Sequence, residues 1–175
     1  MGLDMYLYRK RKPTVGKVKP KVVRKGDAAA PSEVGQEEPK EEIGYWRKAN
    51  QIHAWFVDNV QGGKDDCEEY GVSRSQLGQL LAAVKEVLDN SKLVPGNVSV
   101  GQSWEGDGWK DTIVNGQVVE DPTVAKELLP TREGFFFGYY HYDEHYIADL
   151  RQTEKILRLA LDSPLDTMFT YQSSW

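Results

Sequence analysis

His141-Tyr-Asp-Glu144-His145 comes nearer to a catalytic pattern than any other stretch of this chain. H-x-x-E-H is the inverted zincin arrangement: two histidines on one helical face hold zinc, and the glutamate acts on the bound water. That chemistry needs both imidazoles inside one helix, together with a third ligand. Asp143 is a natural N-cap, which places His141 outside the helix and removes the i, i+4 relation. Even in a helix that starts earlier, the apolar stripe Ile147, Leu150, Leu157 and Leu161 turns His141 and His145 away from the core, beside Asp149. The pair reads as exposed rather than as a dry, shaped metal centre.

Other candidates are more scattered. Asp65-Asp66-Cys67-Glu68-Glu69 offers oxygen ligands for a divalent cation but lacks the spacing and distal glutamate of an EF-hand, so it reads first as a solvated loop. His53 has the side chain of a general base, although one structural hydrogen bond explains it as well. Arg47 and Lys48 form a cationic pair that can hold an anion, with Tyr45 or Trp46 as a stacking surface and helix-start N–H groups in support. This corner (Tyr45, Trp46, Arg47, Lys48 and His53) is the favoured ligand-binding site, joined by Phe136 and Tyr140 if those rings prove exposed. Asp65, Asp66, His141, Glu144 and His145 are the weaker metal candidates. Walker, dinucleotide, nucleophile-elbow and C-x-x-C signatures are all missing from the sequence. No catalytic residue and no cofactor are therefore expected.

The elements that must position these residues follow from periodicity and punctuation. Residues 3–9 alternate as a half-buried strand. Residues 13–42, poor in aromatics and rich in Lys, Glu, Pro, Gly and Ala, read as a low-complexity mobile insertion. A helix is predicted from near Trp46, with Ala49, Ile52, Phe56 and Val60 at helical spacing, ended by Gln61-Gly62-Gly63. A second starts at Ser73, where Ser73 and Gln76 form a capping box, and runs past Leu77, Leu80, Leu81, Val84 and Leu88 to Asn90-Ser91. Residues 96–120 read as an insertion carrying a hairpin, with Asn115-Gly116 as its turn between 112–114 and 117–119. Asp121-Pro122 opens a short helix through Leu129. The aromatic block 134–146 holds seven of the chain's nineteen aromatic residues. Its residues 135–140 are predicted as a strand, and Asp143 turns the chain into a last helix to Leu161. Residues 168–172 make a final strand. Together these give a single α+β domain over residues 1–175, a mixed or antiparallel sheet of 3–9, 134–140 and 167–172 with two to three helices on one face.

Bulk properties narrow the setting. At 175 residues the chain is about one domain, and one cysteine excludes an internal disulfide framework and fits a reducing compartment. The start, MGLDMYLYRK, lacks a signal-peptide core and the serine or threonine of a myristoylation site. No apolar run approaches the ~20 residues needed to span a bilayer. Residues 1–25 carry nine Lys/Arg against one Asp, whereas residues 26–42 carry one Lys against six acids. A basic segment over 9–25 can bind nucleic acid, but no aromatics interleave its lysines, so the favoured account is that the two charged blocks solvate a flexible loop and attract each other.

The blocks GLDMYLY, YWRKANQIHAWFV, DDCEEYGVS, LLPTREGFFFGYYHYDEHYIADL and FTYQSSW resemble a group of small uncharacterised proteins encoded by bacteriophages and prophages. The resemblance covers most of the chain outside 12–42 and 95–120. In that group the positions of His141 and His145 are generally not histidine, so this chain departs there. The resemblance implies a bacterial cytoplasm and a role in host takeover or counter-defence. The resulting expectation is an accessory protein that binds, without catalysis, a host macromolecule or a small anionic, nucleotide-like ligand. The alternatives are a small metal-dependent hydrolase and nucleic-acid binding through 9–25.

Overall fold

A computed structural model describes residues 2–11, 40–134 and 137–175. Its main sheet has four antiparallel strands in the order β2-β1-β6-β3, drawn from both ends of the described chain: β1 Asp4–Arg11, β2 Glu41–Arg47, β3 Tyr70–Val72 and β6 Thr167–Ser174. β1 and β6 form the centre, with Asp4 opposite Ser174 and Arg11 opposite Thr167. Period-2 alternation sends Met5, Leu7, Trp46, Phe169 and Tyr171 to one face, where each is almost completely buried. Helices α1 (Asn50–Asn59), α2 (Arg74–Asn90) and α4 (Glu144–Leu161) answer with Ile52, Phe56, Leu77, Leu80, Leu150 and Leu157. Phe56 stacks on Tyr171 at 3.9 Å between ring centroids, and the Trp46 indole N–H donates to Thr153 Oγ1 at 2.8 Å. Each such side chain contributes ~1.5–3 kcal/mol by leaving water. The opposite face carries Tyr6 stacked on Tyr8, with Tyr45 beside Tyr6 and its hydroxyl donating to Asp4.

The α+β class and the antiparallel sheet are as expected, but the sheet's membership is not. No strand forms over 137–140; β2 and β3, neither of them expected, complete the sheet beside β1 and β6, and Phe135 and Phe136 lie outside the described residues. Glu41 and Glu42, read as the end of the insertion, pair with Arg9 and Tyr8 in β2. The Arg9 guanidinium binds both Glu41 oxygens at 2.8 and 2.9 Å, so acids that looked like solvating tail serve as cross-strand partners. The rest of the predicted insertion, up to residue 39, lies outside the described residues. Tyr45, Trp46 and Arg47 belong to this strand and not to the first helix. Lys48 then adopts the left-handed region (φ 61°) and Ala49 precedes α1.

A second, two-stranded sheet pairs β4 (Leu93–Trp104) with β5 (Trp109–Val119). Its turn is at 105–108, where Gly106 takes φ 58°, and not at Asn115-Gly116. Those two residues sit mid-strand, opposite Asn97 and Gly96. A Cβ on Gly116 would come within 2.6 Å of Val98 Cγ2, and one on Gly96 within 2.6 Å of Val118 Cγ2. The glycines are there to let valines from the facing strand lie across them, which overrides the local turn preference of Asn-Gly. The capping box of Ser73 and Gln76 and the N-cap of Asp143 form as predicted. Helix α3 (Thr123–Leu128) starts one residue late, with Asp121 Oδ1 accepting from the Thr123 N–H and hydroxyl. Among the described residues no helix is long and apolar enough to cross a membrane.

Candidate functional site

Where the sheet-and-helix body meets the ribbon, the segment 137–141 lines two adjoining hollows of about 220 and 400 Å³. Asn50 fixes that segment. It is buried at the first turn of α1; its Nδ2 donates to the carbonyls of Phe137 (3.2 Å) and Tyr139 (2.9 Å), and its Oδ1 accepts from the Arg132 N–H at 2.9 Å. With three partners its amide is nearly saturated, which gives the segment a definite conformation without any sheet pairing. Gly138, at φ 95°, allows the backbone to close on Lys48; a Cβ there would meet Lys48 Cβ at 2.9 Å and its carbonyl oxygen at 3.0 Å. Phe137 turns inward and sets its ring edge-on to His53 at 5.4 Å.

The smaller hollow collects Arg47 and Lys48 from the end of β2, His141, and His145 and Asp149 from α4. The larger shares Lys48, Gly138, Tyr139 and His141 and adds Tyr140 with Ser99, Gly101 and Asp111 of the ribbon. Among the described residues, the ion pairs include none to Arg47 or Lys48. His141 and His145 are exposed at the rim and can donate or, when protonated, add positive charge. Burial pushes the Asp149 carboxyl up to about 6, opposed by the hydrogen bond from Gln51 Nε2 at 3.2 Å. Asp143, also in the wall, is only 1% exposed. Its Oδ1 caps α4 by accepting from the His145 and Tyr146 N–H groups, while its Oδ2 has no partner. Tyr139 and Tyr140 expose ring surface; their hydroxyls donate to the carbonyls of Val100 and Gly134. The result is a cationic rim over a floor that still wants a donor, beside aromatic faces that can stack.

The expected corner is only partly assembled. Arg47, Lys48 and Tyr140 line the hollows, and His141 and His145, the metal candidates, join them. Trp46 is buried in the core, and Tyr45 points to the opposite face of the sheet because strand alternation separates it from its neighbours. Phe136 lies outside the described residues. The first N–H groups of α1 are taken by local carbonyls: Asn50 by Lys48, and Ile52 and His53 by Ala49. They are not left for an anion.

His53 is buried, with Nδ1 2.8 Å from the Tyr171 hydroxyl and Nε2 3.0 Å from Asp65 Oδ2. Burial raises Tyr171 well above its ordinary range, so its hydroxyl keeps the proton and donates to Nδ1; Nε2–H then donates to Asp65. Desolvation also lowers the His53 pKa, keeping the ring neutral. Asp65 Oδ1 accepts from the Trp175 indole at 3.0 Å, and Asp66 is occupied by the Tyr70 hydroxyl and the Glu68 N–H. The network ties α1, the 64–69 loop and the strand after it together, and it accounts for His53, Asp65 and Asp66 without chemistry. Glu144 lines a different groove, beside β2. Among the described residues no three His, Cys, Asp or Glu side chains are grouped to hold a metal ion. Asn50, Gln51 and Gly138 are the residues that sequence reasoning passed over. A buried Asn flanked by aromatics at a helix start was the one available signal. No protein-family model matches the chain, and no curated protein or solved structure matches it either.

Proposed function

We propose that this protein binds a small anionic ligand of nucleotide type in the hollows around Gly138, without catalysing its conversion. The observation that carries this reading is the meeting of Arg47, Lys48, His141 and His145, from three separate segments, around one cavity in which, among the described residues, neither long cation is in an ion pair with a carboxylate. Arginine grips a phosphate through two parallel N–H donors, and lysine adds a point charge. Tyr139 and Tyr140 offer faces for a planar base, and Asp143 Oδ2 offers an acceptor for an amino or hydroxyl group. The likeness to phage and prophage proteins supports a setting in a bacterial cytoplasm, where sequestering a signalling nucleotide is a counter-defence strategy. The hydrolase reading loses support because Asp65 and Asp66 are held by other partners. Nucleic-acid binding through 9–25 rests on residues of which only 9–11 are described, and Arg9 is already paired with Glu41.

Calorimetry and thermal shift with inorganic phosphate and the nucleoside monophosphates test the proposal. A ligand at 100 times its Kd stabilises the fold by about 2.7 kcal/mol, which reads as a clear rise in Tm. Arg47→Ala with Lys48→Ala should abolish the rise while leaving the Tm of the free protein nearly unchanged, since among the described residues neither side chain makes an ion pair and alanine keeps the Lys48 Cβ that Gly138 packs against. Equal binding by that double variant, or no heat and no shift with any of these ligands at millimolar concentration, would rule the reading out.

A further inference from the structure

A further hollow of about 980 Å³ lies elsewhere: a groove along the outer side of β2, roofed by α4. Among the described residues β2 is the outermost strand of the sheet, hydrogen-bonded to β1 alone. Such an edge presents backbone N–H and C=O groups that another extended chain can pair with. Here the carbonyl of Tyr45 faces outward, because Gln152 Nε2 of α4 reaches it at 2.6 Å. Two residues before Tyr45 the strand carries a bulge: Leu7 pairs with Gly44 and Tyr8 with Glu42, so Ile43 has no partner on β1. Ile43 lines the groove together with Ile156, Ile147 and Leu93, all apolar.

The charges over this apolar floor follow a pattern. Glu144 stands toward one end and Glu42 at the other, and Arg151 and Lys155 project from α4 between them. Tyr45 faces Gln152 and Gly44 meets Ile156, so β2 and α4 run antiparallel here and the order along the groove is acidic, basic, acidic. Among the described residues, the ion pairs include none to Arg151 or Lys155. Gly44 is what lets α4 sit so close, since a Cβ there would lie 2.5 Å from Ile156 Cγ2. A compact anion would leave the apolar length uncovered, whereas an extended segment covers both.

We infer that the β2–α4 groove takes an extended segment of a protein partner, apolar on one side and acidic at its centre, which pairs with the outer edge of β2 and sets its carboxylates against Arg151 and Lys155. The groove shares no described lining residue with the hollows around Gly138, so this inference stands apart from the anion site.

A fluorescent eight-residue peptide of alternating valine and threonine, with two central residues replaced by aspartate, is the probe. Anisotropy should show saturable binding to the full chain. Binding should weaken at least tenfold for Arg151→Glu with Lys155→Glu, for a peptide with lysine in place of aspartate, and for one N-methylated at alternate amides. Amide exchange should slow at Ile43 and Tyr45 in the complex. The lysine peptide probes the unmodified protein, so a folding defect in the double variant does not decide the outcome. Absence of saturable binding, equal binding of the lysine peptide, or protection located away from β2 overturns the inference. So does a concentration-dependent dimer in light scattering with β2 amides protected, which assigns the groove to a second copy of the chain.

Discussion

The molecule contains two antiparallel sheets that are stabilised in different ways. In the four-stranded sheet one face is almost wholly removed from water; Met5, Leu7 and Tyr171 are all 0% exposed. In the β4–β5 ribbon the buried side chains among the described residues are Val119 at the base and Val98 and Ser99 midway along β4, while Trp104, Ile113 and Val114 stand in solvent, Trp104 at 62%. The first sheet has its register set by burial, since a one-residue slip would turn its whole apolar set outward. The ribbon has no such penalty along most of its length, and its register depends on the Gly96–Gly116 pair and the turn at Gly106. An isolated two-stranded hairpin is marginal in water. The ribbon is therefore held at its base and by the segment 137–143, through Tyr139 to Val100 and the bridge between Val118 and Asp143. The candidate anion site lies on that seam, with rigid walls from one part and a softer one from the other.

The largest test of this contrast is Phe56→Ala. It removes the ring stacked on Tyr171 and should cost about 3–5 kcal/mol in urea unfolding. A loss below 1 kcal/mol would mean that the two sheets are more alike than their burial indicates. Gly116→Ala comes next. Its new methyl would press on Val98 and, at 3.2 Å, on Glu144 Oε1, for a cost of about 1–3 kcal/mol. Hydrogen exchange should accelerate in β4 and β5 while β1 and β6 keep their protection; uniform acceleration would show one cooperative unit instead of two. The smallest effect sharpens the comparison through pH. His53, inside the well-packed part, has a folded pKa below its ordinary 6.5, so its contribution to stability falls as pH drops below that value. Asp149, on the seam, has its carboxyl raised to about 6 from 3.8, so its charged form penalises the fold above pH 6 and the penalty fades as pH falls toward 4. Asp149→Asn keeps an acceptor for Gln51 and should gain on the order of 1 kcal/mol at pH 7.5 and nothing at pH 4. Equal gains at both values would place the cause outside this titration.

Much of the fold was legible wherever a local signal had no competitor. The Ser73–Gln76 capping box and the Asp143 N-cap need only residues within one turn, and both form. Asn115-Gly116 failed because its local preference competes with cross-strand packing, which has no signature in a single strand's sequence. Trp46 failed because Trp46, Ala49 and Ile52 satisfy helical spacing even though strand alternation places Trp46 against Thr153. β2 was hidden because its first residues, Glu41 and Glu42, match the composition of the acidic stretch before them. The site was read in fragments. Arg47 and Lys48 stood out as cations, and the outward turn of His141 and His145 beside Asp149 followed from the helix. Their meeting depends on Asn50 holding a segment about 87 residues away in sequence, which periodicity does not report.

The pairing of β1 with β6 also governs the order of events at the ribosome. Asp4 has its partner at Ser174, so β1, once made, waits through most of the described chain for β6 before the two can pair. At translation rates of roughly 5–20 residues per second that interval is on the order of ten to thirty seconds. Throughout it the apolar sides of Met5, Leu7 and Trp46 have no β6 to share their cover, while α2 can already form from its own caps. Apolar surface that waits in this way is what chaperones and proteases recognise, so any change that speeds closure of β1 on β6 shortens the exposure.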